Sequence, residues 1–252
     1  MRNLNEQVNR MKTLMGISES KLIKEFDETR KNIFVLVGPP SVGKSTWIRN
    51  HFRDGNPYII NRDELVEKIA SGYGWTYDDM FASPAKEEEI GATDEKYGNV
   101  VASPSWMTWS DKVFDKVLEA NGKVQSEFMN KVSGAVPSGK DIVVDMTNMS
   151  AGARKGALKA IEGSEGEYEK IAVVFKFQGG EDVIKQMAAK RAAEAKAQGK
   201  SKTIPDAAFD RMFKSFQNVS PEEGFDQIID HDTIDALKQG LMKDIERSEE
   251  EV

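Results

Sequence analysis

The chain has 252 residues, 39% of them hydrophobic, and a formal net charge of −7 at pH 7. That length suits one sizeable α/β domain with decorations, and the apolar fraction suffices for a packed core, which excludes wholesale disorder. The absence of cysteine excludes a disulfide framework, thiolate zinc sites and a cysteine nucleophile, and the negative balance argues against broad, salt-driven coating of nucleic acid.

Residues 1–31 form a charged, amphipathic lead-in, expected to be helical with a break near Gly16 and free to pack on the domain, dock a partner or self-associate. The N-terminus lacks the apolar core of a signal peptide, and the longest obvious apolar run, Ile33–Val37, is far short of a membrane span. A cytoplasmic protein without a membrane partner is expected.

From Ile33 onward strands alternate with helices, the pattern of a mostly parallel sheet with crossovers. Strands are expected over Ile33–Val37, Tyr58–Ile60, Ile142–Asp145, Ile171–Phe177 and Phe225–Ile229. Helices are expected over Lys44–Phe52, Asp63–Ala70, Ser110–Val132, Ala151–Ile161, Glu181–Gln198, Pro205–Phe216 and Ile234–Ile245. Pro205 suits a first helical turn, and Ser150 and Asp232 suit caps. Between the second and third strands, residues 71–135 are an insertion, rich at first in Gly, Pro, acids and aromatics. Long insertions of that kind commonly serve as lids or substrate loops.

The run Gly38-Pro39-Pro40-Ser41-Val42-Gly43-Lys44-Ser45 satisfies G-x-x-x-x-G-K-[ST], between a strand and a helix start. Its glycines let successive amides point at one anion, and the helix beginning near Lys44 adds its positive end. Lys44 would reach the β- and γ-phosphates of ATP, and the Ser45 hydroxyl would ligate Mg²⁺, with Thr46 following on the same turn. The expected fold class is therefore a three-layer α/β/α phosphate-loop NTPase over residues 32–252. The motif does not say where the phosphoryl group goes.

Other residues bear on that destination. Strand two runs into "NRDE", which sets Arg62 and Asp63 on the rim where ligands of parallel sheets bind. Asp63 could take a proton from an attacking hydroxyl, or could simply cap the following helix. Strand three ends "DMTN", which makes Asp145 a candidate Mg²⁺ ligand and adds Thr147 and Asn148 to the rim, unless the stretch is only a strand-end turn.

Lys185 to Lys214 carries eight Lys/Arg against three acids, a net +5, whereas Asp78 to Glu95 carries seven acids against one lysine, a net −6. The basic segment, a lid over 181–204, could close Arg191, Lys196, Lys200 and Lys202 over a triphosphate, with Arg191 best suited to bidentate contact. Among the aromatics of the insertion, one or two of Trp75, Trp106 and Trp109 could stack on an acceptor, although a small aromatic core is the plainer use. The only histidines, His51 and His231, have no partner that would make a metal site and are expected to be structural.

"GPPSVGKSTW", "NRD", "DMTN" and "KR…GKSKTIPDAAFDRMFKSF" occur in order over residues 33–217. Together they resemble the kinase domain of phage polynucleotide 5′-kinases. The resemblance implies Lys44 and Ser45 on ATP and Mg²⁺, Asp63 as the base for a 5′-hydroxyl, Asp145 in the site and Arg191 on the ATP phosphates. It implies a nucleic-acid 5′-OH end as partner, met by Arg62, Asp63, Thr147, Asn148 and Trp106. Where that family has an acceptor-binding arginine, three residues after the aspartate, this chain has Val66. The lid is longer than usual, no second lid arginine has a clear counterpart, and no D-x-D-G-T phosphatase motif is present. The layout also resembles the kinase-like domain of large nuclear scaffold ribonucleoproteins, which lacks the "NRD" element. A small-molecule or nucleoside kinase and an ATP-gated binding module are the alternatives.

Overall fold

The computed structural model describes residues 30–53, 55–81, 111–198 and 202–250. Residues Lys31–Val252 belong to one compact unit. The lead-in before residue 30, and Trp106, Trp109 and Lys200, lie outside the described residues.

Five strands form one all-parallel sheet: β1 (Lys31–Val37), β2 (Tyr58–Ile60), β3 (Ile142–Val144), β4 (Tyr168–Lys176) and β5 (Gln227–Asp232), in the order β2-β3-β1-β4-β5. Among the described residues the α-helices are α1 (Lys44–His51), α2 (Arg62–Gly72), α3 (Asp111–Ser133), α4 (Ala151–Leu158), α5 (Glu181–Ala197), α6 (Asp206–Ser215) and α7 (Ile234–Glu250). All five strands and seven helices fall where the periodicity predicts them, within about three residues at most ends. Among the described residues, no helix is long and apolar enough to cross a membrane.

Period-two alternation explains the layers. Ile33, Val35 and Val37 of β1 join Ile142, Val144, Ala172 and Val174 on one face, where Ala157 of α4 and Phe128 and Val132 of α3 pack. Phe34 and Leu36 join Val143, Val173 and Phe175 on the other, where Trp47 and Ile48 of α1, Ile184 of α5, Phe209 of α6 and Ile234 of α7 pack. Strands with both faces covered read as continuous apolar runs, which is what Ile33–Val37 of β1 and Ile171–Phe175 of β4 are.

The insertion contributes a third, smaller core. Leu65, Val66, Ile69 and Ala70 of α2 pack against Ala120 and Val124 of α3, and Trp75 and Met80 complete the cluster. Trp75, only 6% exposed, stacks on Tyr73 with ring centroids 4.8 Å apart. The plainer use of the aromatics therefore holds for these two.

Register brings the strand ends together. Val35 pairs with Val144, and Val144 with Ile60, so β1, β3 and β2 finish on one rim. Two main-chain bonds knit that rim, Gly38 N–H to the Thr147 carbonyl and Asp145 N–H to the Ile60 carbonyl, both 2.9 Å. The connection from β1 runs to β2 on one side of it and the connection from β3 runs to β4 on the other, so the crevice lies at a switch in strand order, the usual ligand position in an open parallel sheet.

Candidate active site

A cleft of about 430 Å³ opens on that rim. Pro40, Ser41, Lys44 and Ser45 form its floor, Asn61, Arg62, Asp63 and Glu64 one wall, Asp145, Met146 and Thr147 the back, and Arg191, Lys202 and Ile204 the far side.

The floor is built to receive an anion. Gly43 precedes α1 at φ 107°, a conformation that residues with a Cβ resist, and Ser41 is also left-handed at φ 64°. Helix α1 has no side-chain cap and no acid in its first turn, so its leading amides and positive dipole end are available to an incoming anion. Thr233 holds the loop from below, its hydroxyl donating to the Val42 carbonyl at 2.8 Å. Val42 itself is a core residue, and the exposed Thr46 hydroxyl accepts from Arg49; neither lines the cleft.

Lys44 turns its ammonium onto the loop, donating to the Gly38 carbonyl at 2.9 Å and the Pro39 carbonyl at 2.8 Å. Burial pulls its pKa from 10.5 down to about 8, only partly offset by the carboxylates of Asp145 and Asp63, and Arg191 pushes the same way as burial. An anion beside Lys44 would relieve that cost.

The wall depends on Asn61, a residue whose role the sequence reading missed. Its carbonyl oxygen caps α2, accepting from the amides of Asp63 (2.9 Å) and Glu64 (3.3 Å). Its amide donates to Asp145 Oδ2 at 3.1 Å. Asp63 is therefore not the cap. Its carboxylate, about half exposed, accepts from the Tyr77 hydroxyl at 3.2 Å and lies 3.6 Å from Lys202 Nζ. Burial, then the Asp63 charge, push the Tyr77 phenol well above its ordinary pKa and keep it a donor.

Burial raises the Asp145 carboxyl, against the pull of Lys44. A Mg²⁺ ion fits this donor set: Asp145 and the Ser45 hydroxyl are hard oxygen ligands, and burial of the carboxylate is a cost that a cation removes. Among the described residues no group of three or more His, Asp or Glu is placed to hold a metal ion by itself.

Thr147 lines the cleft, but Asn148 takes another place. It is 1% exposed, sits at φ 46° and donates to the Leu36 carbonyl at 2.8 Å, so it fastens β3 to β1 rather than meeting a ligand. Arg154, which the sequence reading overlooked, supports the same turn. Fully buried, it forms a two-pronged ion pair with Glu223 at 2.6 and 2.7 Å and donates to the carbonyls of Asn148 and Met149. Only the capping box of Ser220 and Glu223 had any local signature. His51 stacks on Trp47 at 4.5 Å and His231 meets Phe175 edge-on at 5.2 Å, both in packing roles.

A second cleft, of about 790 Å³, shares Glu64, Arg191 and Lys202 with the first and continues past Glu67, Lys68, Trp75 and Tyr77 to Glu194. Lys68 is paired with Glu127 at 2.9 Å and Lys202 with Glu67 at 2.6 Å.

A crystal structure of a candidate kinase from Chloroflexus aurantiacus J-10-fl aligns over 87% of this chain and 98% of its own, at 11% identity and a TM-score of 0.44. A solved structure from the PezAT chromosomal toxin–antitoxin system of Streptococcus pneumoniae aligns over 88% of this chain and 91% of its own, at 13% identity and a TM-score of 0.32. Both likenesses are too loose to bear on activity. No curated protein matches. The AAA domain family AAA_33, however, matches residues 33–219, about three quarters of the sequence, from β1 to the turn that holds Arg154. The chain belongs to that family of phosphate-loop, kinase-like AAA domains.

Proposed function

We propose that the protein transfers the γ-phosphoryl group of ATP to a hydroxyl, with the 5′-hydroxyl of a polynucleotide as acceptor. The supporting observation is that Lys44 and Asp63 line one cleft, the first set to hold phosphate and the second uncommitted to capping. Asp63 accepts the acceptor's proton while its oxygen attacks the γ-phosphorus, and the bond from that phosphorus to the bridging oxygen breaks to release ADP. Lys44, the loop amides and Arg191 hold the spreading negative charge. Asp145 and Ser45 would hold Mg²⁺, which supplies further charge neutralisation on the β- and γ-phosphates. The polynucleotide acceptor rests on the ordered motifs of a 5′-kinase.

A second reading, a small-molecule or nucleoside acceptor, also has specific support. Val66, where the acceptor-binding arginine is expected, is 1% exposed and belongs to the α2–α3 core. Beside Asp63, Lys68 and Lys202 are each matched by a glutamate. A polyanion would be poorly served there.

Labelled ATP with Mg²⁺ and a panel of 5′-hydroxyl oligonucleotides, nucleosides and small polyols separates the two. Label on oligonucleotides supports the first reading, and label only on small molecules supports the second. Nucleotide binding without any transfer would overturn both in favour of a binding module.

A further inference from the structure

Lys202 stands between the two clefts and lines both. Its ammonium lies 2.6 Å from Glu67 Oε1, 3.6 Å from Asp63 Oδ2 and 4.7 Å from the centre of the Tyr77 ring. The next residue is anchored too, Thr203 N–H donating to Asp78 Oδ1 at 2.8 Å. Each oxygen of Asp63 thus has a neighbour, Tyr77 on Oδ1 and Lys202 near Oδ2. The group that must meet an acceptor hydroxyl is engaged before any substrate arrives.

We propose that Lys202 is a positioning residue that couples the donor site to the base: without nucleotide it guards Asp63 from its seat on Glu67, and a triphosphate in the first cleft draws it away. The inference rests on reading that cleft as the ATP site. A lysine suits the task, because a compact charge on a flexible four-carbon stem can change anionic partners without backbone movement. A triphosphate presents more oxygens at higher charge density than two half-exposed carboxylates do, and so competes for that ammonium. Departure of Lys202 frees Asp63 Oδ2 to accept a proton, so the base becomes available only when there is a phosphoryl group to transfer. The donor then binds first, and acceptor binding strengthens with it. Coupling of this kind is reciprocal.

A binding cycle on the full chain tests this without knowledge of the acceptor. The probe is a non-hydrolysable β,γ-imido ATP with Mg²⁺, titrated into wild type, Glu67→Gln, Lys202→Gln and the double variant. Glu67 is exposed and outside the phosphate-holding set, so its substitution leaves the fold intact. Glu67→Gln should bind the probe about five-fold tighter or more, because Lys202 is released from its nearest partner. Lys202→Gln should bind it more weakly than wild type, and Glu67→Gln should then add nothing. Equal or weaker binding by Glu67→Gln would overturn the proposal. So would tightening that persists without Lys202, which would mark a general loss of negative charge. A wild-type protein that binds no probe would instead overturn the ATP reading itself.

Discussion

Asn61 donates its side-chain amide to the Asp145 carboxylate at 3.1 Å, tying the end of β2 to the end of β3. Its other end caps α2 ahead of Asp63. One short side chain therefore fixes the spacing of both carboxylates in the cleft. Asn61→Ala should cost about 1 kcal/mol from the lost cap, more if Asp145 is left without a donor. It should also depress transfer more than nucleotide affinity. Urea denaturation beside steady-state kinetics checks both parts.

The pKa of Lys44 gives the site a pH signature. Burial holds it near 8 in the free protein, and a bound phosphate favours the charged form. Nucleotide affinity should be level below pH 8 and fall by about tenfold per pH unit above it, and Lys44→Met should bind weakly at every pH. The stability effect has a definite sign. Between about 8 and 10.5 the unfolded chain carries the proton that folded Lys44 has lost, so its contribution to stability rises with pH across that window. Lys44→Met should therefore be the more stable protein below about pH 8 and lose that advantage toward 10.5, as measured by denaturation at several pH values.

Arg154 is fully buried and its charge is balanced by Glu223. Removing either partner strands the other, so Arg154→Met and Glu223→Ala should each cost about 3–5 kcal/mol. The double variant should cost much less than the sum. Denaturant midpoints of the three proteins measure the coupling.

Gly180 has no room for a side chain. A Cβ there would lie 2.5–2.9 Å from three side-chain atoms of Ile234, at the junction of the loop before α5 and the start of α7. Gly180→Ala should destabilise by about 1–3 kcal/mol. Adding Ile234→Val removes the nearest atom, the Cδ1 at 2.5 Å, and should recover part of the loss, visible as non-additivity in thermal unfolding.

Local chemistry was legible in the sequence and distant pairing was not. The phosphate loop announces itself because strand, glycines, lysine and helix start are contiguous, and the core strands because burial on both faces leaves unbroken apolar runs. Asp63 reached the cleft as expected, since "NRD" sits at a strand end, yet Asn61 was passed over because an asparagine before a helix reads equally as coil. Asn148 looked like a rim residue, but its left-handed backbone turns it inward to bond the Leu36 carbonyl. Arg154 meets Glu223 across 69 positions, and Lys202 meets Glu67 across 135. No pattern within a helix or strand encodes such meetings; only the strand order β2-β3-β1-β4-β5 and the packing built on it create them.

Asp63→Asn separates proton removal by Asp63 from phosphate binding by Lys44. With the acceptor that the labelling panel identifies, ATP affinity should stay within a few-fold of wild type while single-turnover transfer falls by about 10²–10⁴-fold. Transfer at the wild-type rate in Asp63→Asn would mean that another group takes the proton.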